Sequence, residues 1–358
     1  MTLHKLLAAA LTTLGALFSS SLLAAEPLKI GFIYPGPLAD VGWTAQHELG
    51  RKLIEKTYGD KVKTYYVENV PETADAARVV RQLINQGCTM IFTTSFGYME
   101  ATAKLAKQFP KVSFDHATGY KMDKNLGIYQ TRFYQGAYLM GVLAGKMTKS
   151  NTLGFIGSHP IPEVLRNIDA FTIGARSVNP AAQTKVIWIS SWYDPPKERE
   201  AAETLISQGA DVLYQNTDSP AAVQVAEKKG LYAFGQDSDM SKYGPRAHLS
   251  ANTVNWGVYY VKKIGDKLDG KWKPEDTAWG MKEGMIEVSA LGTAVPADVA
   301  KVFNDKKQAI ASGKLEVFAG PLKDSTGQTK VPAGSMLPEK DLWSLTWYVE
   351  GVQGSIPK

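Results

Sequence analysis

Aromatic and acidic side chains recur together in the loops that follow the predicted strands. Trp43 comes three residues after Asp40 in "ADVGWTAQHELG", and Trp192 lies in "SSWYD". Other strand-end loops carry the same residue types, and the members of this set are Phe96, Asp115, Asn216 and Asp237. Planar rings offer a surface for stacking, while carboxylates and amides accept hydrogen bonds from N–H and O–H groups. The combination favours binding of a sugar, a nucleobase or another aromatic compound.

Motifs of several enzyme classes are missing from the sequence. The segment "GFIYPG" after the first predicted strand lacks the glycine spacing of a dinucleotide-binding loop, and neither a Walker loop nor a G-x-S-x-G elbow is present. The five histidines show neither H-x-x-x-H nor H-E-x-x-H spacing. We therefore expect no metal site, no cofactor and no catalysis. His116, beside Asp115, could orient a ligand, although a surface position is favoured for it.

The elements that must position these loops alternate along the chain. Short segments rich in β-branched and aromatic residues, such as "LKIGFIY" and "CTMIFTTS", are separated by helical stretches such as "TADAARVVRQLINQG". This alternation predicts βαβ units, and hence an α/β fold with parallel sheets covered on both faces. The pattern occurs twice in succession without a residue-level repeat, so two similar lobes are expected. Ligands of such sheets bind beyond the carboxyl ends of the strands.

Residues 1–25 have the composition of a cleaved secretory signal, with one lysine, no acidic residue, an apolar middle and small residues before Glu26. Cys88 is the single cysteine, so neither a disulfide nor a lipid anchor at the signal junction is expected, and a buried thiol is favoured. The formal net charge of +5 is mild and the basic residues are scattered, which gives nucleic-acid binding no support. We expect a protein released into a bacterial periplasm.

Five segments in order resemble the basic membrane protein (BMP) family, the solute-binding receptors of ABC importers for purine nucleosides and bases. The segments are "ADVGWTAQHELG", "FYQGAYLMGVLAG", "LGFIGSHPIPEVLRNIDAFTIGAR", "SWYDPPKEREAAETLISQGADVLYQ" and "FGQDSD". The resemblance implies a type I periplasmic-binding-protein fold, with two doubly wound parallel-sheet lobes joined by a multi-strand hinge. It also implies a monomer that closes over a purine and is recognised by an ABC permease in the inner membrane, with no catalysis.

The resemblance implies specific roles for the cleft residues. Family members hold a purine ring between two aromatic side chains, one from each lobe, and Trp43 and Trp192 occupy those positions. Asp115 is placed to accept hydrogen bonds from the N–H groups of the base, and Asp237 from the hydroxyl groups of a ribose. Phe96 is expected to touch the ligand.

Two polar candidates keep alternative interpretations. Asp40 either contacts the ligand or caps the helix that follows it. Asn216, like Asp218 in the same loop, either contacts the ligand or stabilises a turn.

The sequence departs from the family at the ribose site. The family pattern places a lysine before the Asn of T-S-x-x-K-N-V, whereas Val254 precedes Asn255 in this chain. The missing lysine, together with tryptophan in place of phenylalanine at both stacking positions, favours a free base such as adenine over a nucleoside. The alternative is the same fold binding a different small solute, such as a sugar, an autoinducer or an aromatic compound, for uptake or sensing.

The predicted domain organisation assigns residues 26–120 and about 251–272 to lobe 1. Lobe 2 takes residues from about 121 to 250 and much of 273–358. In this arrangement the chain crosses the hinge several times, and several thin crossings permit hinge bending.

Overall fold

The computed structural model describes residues 26–357, so the predicted signal segment, residues 1–25, lies outside the described part of the chain. Within that part, two lobes each contain a central, mainly parallel sheet covered by helices. The predicted α/β class and the two doubly wound lobes are therefore confirmed.

The bounds of the elements agree closely with most of the predicted segments. The strands are β1 (Leu28–Ile33), β2 (Val62–Val67), β3 (Met90–Thr93), β4 (Ser113–Ala117), β5 (Leu126–Thr131), β6 (Thr152–Gly157), β7 (Gln183–Trp188), β8 (Val212–Gln215), β9 (Tyr232–Asp237), β10 (His248–Val254), β11 (Asp276–Trp279), β12 (Ile286–Val288), β13 (Leu322–Lys323), β14 (Thr329–Val331) and β15 (Val352–Gln353). The helices are α1 (Trp43–Tyr58), α2 (Ala74–Asn85), α3 (Met99–Gln108), α4 (Phe133–Met147), α5 (Pro162–Arg176), α6 (Pro195–Ser207), α7 (Ala221–Lys229), α8 (Trp256–Leu268), α9 (Ala297–Ala311) and α10 (Glu339–Trp343).

Lobe 1 is built on a six-stranded sheet in the order β11-β5-β4-β3-β1-β2, and all of its pairings are parallel. The middle strands β3 and β4 are buried along their whole length. Separate apolar clusters cover the two faces of the sheet, one beneath α8 and the other beneath α2 and α3. Burial on both faces explains why β3 reads as a nearly continuous apolar run rather than an alternating one.

Lobe 2 is built on a seven-stranded sheet in the order β12-β10-β9-β8-β6-β7-β15. Every pairing is parallel except that of β12 with β10. One apolar cluster lies under α4 and α5, and a second lies under α6 and α7. As in lobe 1, the loops at the carboxyl ends of the strands face the other lobe.

The chain passes between the lobes at three places in the described residues, which are Arg132, Asn255 and the segment from β11 to β12. These crossings differ from the predicted boundaries, because β5 completes the sheet of lobe 1, β10 belongs to the sheet of lobe 2, and β11 returns to lobe 1. Which sheet a strand joins depends on where its backbone N–H and C=O groups find partners. A local sequence pattern does not contain that information.

Helices α4 and α5 pack against each other at very short range in lobe 2. A Cβ atom on Gly141 would lie 2.0 Å from the carbonyl oxygen of Phe171, and one on Gly174 would lie 2.0 Å from that of Tyr138. Twelve of the fifteen residues of α4 are buried. Two glycines of the segment "FYQGAYLMGVLAG", Gly141 and Gly145, therefore permit close approach of the α5 backbone.

The tail after α9 packs mainly on lobe 2. Strands β13 and β14 form a small hairpin, α10 lies against α5, and β15 adds a parallel edge strand beside β7. Val349 N donates to the buried carboxylate of Asp169 at 2.9 Å, which fixes the tail to α5. Among the described residues, no helix has the length and apolar character that crossing a membrane requires.

Candidate functional site

A cavity lies between the two lobes, where the loops at the carboxyl ends of the strands meet. The residues that line it are Pro35, Trp43, Ser95, Phe96, Thr118, Ile161, Glu163, Trp192, Asn216, Asp218 and Asp237. Both lobes contribute, so the cavity is complete only when the lobes are together.

Trp43 begins α1 in lobe 1, and several contacts fix its side chain. The indole Nε1–H donates to the carbonyl oxygen of Thr94 at 2.6 Å. The ring also meets Trp256 and His47 edge to face, with centroids 5.1 Å and 4.8 Å away. A ring held in this way presents a preorganised surface, because little side-chain entropy remains to be lost when a ligand binds.

Trp192 follows β7 in lobe 2 and lines the opposite part of the cavity. Its Nε1–H lies 3.4 Å from a carboxylate oxygen of Glu72, which belongs to lobe 1. Its ring lies 4.8 Å from the His159 ring, centroid to centroid. Phe96, from the loop after β3, is a third aromatic side chain of the cavity. One aromatic residue from each lobe can therefore contact a ligand held between them.

Direct hydrogen bonds join the lobes beside the cavity. Ser238 Oγ accepts from the backbone N–H of Gly42 at 2.9 Å and from Gln46 Nε2 at 2.7 Å. The backbone N–H of Trp43 donates to Asp218 Oδ1 at 3.2 Å. These bonds connect the start of α1 to the loops of lobe 2, so the structure represents a closed arrangement of the lobes.

Three carboxyl groups of lobe 2 line the cavity. Glu163 lies in the first turn of α5, Asp218 follows β8, and Asp237 ends β9 with a left-handed φ of 63°. Burial raises the pKa of Glu163 to about 7, and Arg166 partly opposes this shift. Burial likewise raises the pKa values of Asp218 and Asp237, and repulsion from Asp218 adds to the shift of Asp237. Such groups can accept hydrogen bonds and, when protonated, also donate them.

The structure brings five of the seven predicted binding residues together at this cavity. They are Trp43, Phe96, Trp192, Asn216 and Asp237. Asn216 is also part of a buried pair, because its Oδ1 accepts from Asn167 Nδ2 at 2.7 Å. Its amide nitrogen is the part that stays available to a ligand.

Asp115 does not line the cavity, which corrects the prediction made for it. Its side chain is completely buried in lobe 1, where the carboxylate accepts from Tyr259 Oη at 3.1 Å and from Trp272 Nε1 at 3.0 Å. Burial raises the pKa of Asp115 to about 6, opposed mainly by Lys263. His116 is buried too, rather than on the surface, and its Nδ1 pairs with Thr93 Oγ1 at 2.7 Å. Both residues lie on the buried strand β4, so their side chains point into the interior of lobe 1 and not toward the cavity.

Asp40 fits neither of its two predicted roles. The N-cap residue of α1 is Gly42, and no side chain caps that helix. The carboxylate of Asp40 is exposed and pairs with Lys242 of lobe 2 at 2.8 Å, which holds the pKa of Asp40 below its usual range. Asp40 therefore lies at the rim, in an ion pair between the lobes.

Glu163 is the titratable residue of the cavity lining that sequence reasoning missed. An acidic residue in the first turn of a helix is common because it complements the helix dipole, and this hides any other role. Asp218, for which the sequence leaves a ligand contact or a turn role open, lies on the cavity wall. No group of His, Cys, Asp and Glu residues among positions 26–357 has an arrangement suited to a metal ion.

The fold and the closed interlobe cleft define a class of bilobal α/β proteins of the periplasmic-binding-protein type. A solved ABC transporter solute-binding protein from Aeropyrum pernix K1 superimposes with a TM-score of 0.70 at 18% identity, covering 85% of this chain and 95% of that one. At this level of identity the likeness concerns the fold alone.

The chain belongs to the Bmp family of PnrA-like ABC transporter substrate-binding proteins, whose family model matches residues 28–319. A purine-binding protein of Brucella abortus (strain 2308) is 46% identical over 347 residues, which cover 97% of this chain and 99% of that protein. A protein of Haloferax volcanii, named as a candidate ABC transporter glucose-binding protein, is 33% identical over 93% of this chain and 82% of its own length. The resemblance identified from the sequence motifs is thereby confirmed.

Proposed function

We propose that this protein captures a purine between Trp43 and Trp192 by closure of the two lobes. The observation that carries the proposal is the convergence of one tryptophan from each lobe with three carboxyl groups, two of them buried, on one cavity. The rings provide stacking surfaces for a planar heterocycle, and the carboxyl groups complement its N–H groups and ring nitrogens. The 46% identity to a purine-binding protein supports the same ligand class.

A free base such as adenine is the proposed preferred ligand. Adenine presents pairs of one N–H donor and one ring-nitrogen acceptor, and a protonated carboxyl group offers the matching acceptor and donor. The raised pKa values of Glu163, Asp218 and Asp237 favour that protonated form. Val254 stands where the family pattern has a lysine for the ribose, and neither lysine nor arginine is among the described residues that line the cavity.

Binding and closure are coupled in the proposed mechanism. A ligand that contacts both lobes stabilises the closed arrangement, because part of its contact surface exists only there. The closed cleft excludes water, which strengthens the hydrogen bonds formed inside it. The protein itself performs no chemical step on the ligand. We further propose that the chain is exported to the periplasm, acts as a monomer and delivers its ligand to an ABC permease.

Calorimetric titration of the purified, ligand-free protein with adenine, hypoxanthine, adenosine, guanosine and ribose tests the proposal. Adenine should bind most tightly and ribose should not bind. Trp43→Ala and Trp192→Ala should each weaken adenine binding by about 10- to 100-fold, equivalent to ~1.4–2.8 kcal/mol.

Tyr193→Ala is the matched control, because Tyr193 is an exposed aromatic residue next to Trp192 that does not line the cavity. Its affinity for adenine should equal that of the parent. If both tryptophan variants bind adenine as tightly as the control, stacking between these rings is not the basis of recognition.

A different solute remains the second candidate, and the 33% identity to a protein named for glucose binding favours a sugar. Sugars also pack on aromatic rings and donate hydrogen bonds to carboxylates. Glucose added to the same titration series distinguishes the two candidates. Tight glucose binding with no response to purines would replace the purine proposal.

A further inference from the structure

The carboxylate of Glu72 connects the two lobes beside Trp192, although Glu72 is not among the residues that line the cavity. Glu72 belongs to the loop between β2 and α2 of lobe 1. Its Oε1 accepts from Ser95 Oγ, and from the backbone N–H of Gly97 at 2.9 Å, both within lobe 1. Its Oε2 accepts from Trp192 Nε1 of lobe 2 at 3.4 Å. The two oxygens of one carboxylate therefore bind different lobes.

The loop after β3 leaves room for this carboxylate next to its backbone. A Cβ atom on Gly97 would lie 2.5 Å from the carboxyl carbon of Glu72, so a side chain at this position would displace the carboxylate. Ser95 and Gly97 flank Phe96, an aromatic side chain of the cavity. The bonds to Oε1 therefore fix the position of Glu72 relative to the Phe96 loop. Because all of these residues belong to lobe 1, this arrangement does not depend on closure of the lobes.

Both cavity tryptophans are connected to this same loop through their indole N–H groups. Trp43 Nε1 donates directly to the carbonyl oxygen of Thr94 at 2.6 Å, whereas Trp192 Nε1 reaches the loop through Glu72. A phenylalanine at either position would offer a ring for stacking but no N–H donor. The bond between Trp192 and Glu72 exists only in the closed arrangement, because its donor and its acceptor belong to different lobes.

We propose that Glu72 is a positioning residue that fixes the Trp192 ring against the ligand when the lobes close. The inference rests on the proposed function, in which Trp192 stacks on the purine. Glu72 acts through Trp192, because Oε1 is occupied within lobe 1 and Oε2 is the acceptor that the indole meets on closure. A carboxylate suits this role since both of its oxygens accept hydrogen bonds. An amide has one acceptor oxygen, and its NH2 group would face the indole N–H as a second donor.

Glu72→Gln isolates the bond between the lobes. The amide oxygen can keep the bonds to Ser95 and Gly97, so the free energy of unfolding of the ligand-free variant should equal that of the parent. Adenine affinity should fall by about three- to tenfold through faster dissociation, because the lost bond exists only in the closed arrangement. Calorimetry measures the affinity, stopped-flow fluorescence the dissociation rate, and urea denaturation the free energy of unfolding.

A double-mutant cycle with Trp192→Phe tests whether Glu72 acts through the indole N–H. Phenylalanine keeps a ring for stacking and removes the donor, so adding Glu72→Gln to Trp192→Phe should weaken adenine binding by less than about twofold. Asp75→Asn is the matched control. It removes a carboxylate three residues away, whose ion pair with Arg78 at 3.2 Å lies on the surface of lobe 1. Its adenine affinity and dissociation rate should equal those of the parent.

The possible outcomes separate this inference from the proposed function. A loss of adenine affinity in Glu72→Gln that disappears in the Trp192→Phe background, with parental values for Asp75→Asn, supports the positioning role. Parental affinity in Glu72→Gln, an equal loss in both backgrounds, or the same loss in Asp75→Asn overturns the positioning role and leaves purine capture intact. A parent that does not bind adenine overturns the proposed function, and the positioning role with it.

Discussion

At the scale of single residues, Glu163 and Asp237 of the cleft are buried carboxyl groups without a counterion in contact. Glu163 forms no ion pair, and the nearest opposing charge, Arg166, is itself buried and engaged with the tail. Burial of a carboxylate is unfavourable unless a ligand or a proton compensates it. The cleft is therefore prepared for a ligand that donates hydrogen bonds, at a cost to the stability of the empty protein.

This cost predicts a pH dependence of stability. The folded-state pKa of Glu163, about 7, lies above its ordinary value of 4.5. The folded state therefore holds this proton more tightly than the unfolded state, so the penalty is absent below pH 4.5 and grows until about pH 7. Glu163→Gln should remove a loss of about 3 kcal/mol across that interval. Urea denaturation of the ligand-free parent and Glu163→Gln at several pH values measures the free energy of unfolding of each. The same dependence of that free energy on pH in both proteins would contradict the prediction.

Asp115 is expected to be a structural residue of lobe 1. Asp115→Asn removes one acceptor from the pair of bonds to Tyr259 and Trp272, and should lower the free energy of unfolding by about 1–3 kcal/mol. Ligand affinity should change by less than about twofold, because Asp115 does not line the cavity. Denaturation measures the free energy of unfolding, and calorimetry on the same preparation measures the ligand affinity. Asp60→Asn, at an exposed position, is the surface control. If Asp115→Asn greatly weakened ligand binding and kept the parental stability, Asp115 would be a ligand-binding residue and not a structural one.

At the scale of elements, the turn between β1 and α1 determines how closely the lobes approach. Gly42 has a φ of 93°, which residues with a side chain rarely adopt, and its N–H reaches Ser238 across the cleft. A Cβ atom at this position would lie 2.7 Å from the carbonyl oxygen of Asp218. The glycine before Trp43 is thus required by closure as well as by local backbone geometry.

Gly42→Ala should weaken ligand binding by about tenfold or more, since the added methyl group obstructs closure and the backbone conformation is strained. Gly36→Ala is a control from the same loop, where the nearest atom to an added Cβ would be Thr44 Oγ1 at 3.4 Å. Calorimetry compares the affinities, and small-angle scattering with saturating ligand compares the compaction. Equal affinity and compaction in the two variants would show that contact at Gly42 does not limit closure.

Residue types that start or end helices predicted the element bounds correctly where only the local backbone determines the bound. Asp194 before "PP" predicts a helix start, and in the structure its carboxylate accepts from Lys197 N at 3.1 Å with proline in the first turn of α6. Gly270 ends α8 with a φ of 71°, as the sequence indicates. The prediction failed for Asp40, because the competing partner, Lys242, is 202 residues away in the chain.

At the scale of the whole molecule, three crossings join the lobes and a few hydrogen bonds hold them together. Ser238 accepts two of these bonds, from Gly42 and Gln46. The exposed pair of Asp40 and Lys242 adds little, because solvent screens it. The equilibrium between open and closed arrangements therefore depends on a small number of contacts, to which a ligand adds its own.

Ser238→Ala should increase the rate of ligand dissociation by about three- to tenfold and leave association nearly unchanged. The two lost bonds exist only in the closed arrangement, and differences in affinity among variants of one interface arise mostly from dissociation. Stopped-flow tryptophan fluorescence measures both rates. Ser241→Ala, at an exposed position of the same loop, is the control. An unchanged dissociation rate would mean that these bonds do not hold the lobes closed.

The sequence by itself determined the α/β class, the two lobes and the family, and it singled out five residues that line the interlobe cavity. These features follow from periodicity, from turn chemistry and from side-chain types at the ends of strands, all of which are local. Only the tertiary structure decided that Asp115 points into lobe 1, that Glu163 reaches the cleft and where the chain crosses between the lobes. Each of these depends on contacts between residues far apart in the chain, so no local pattern specifies them.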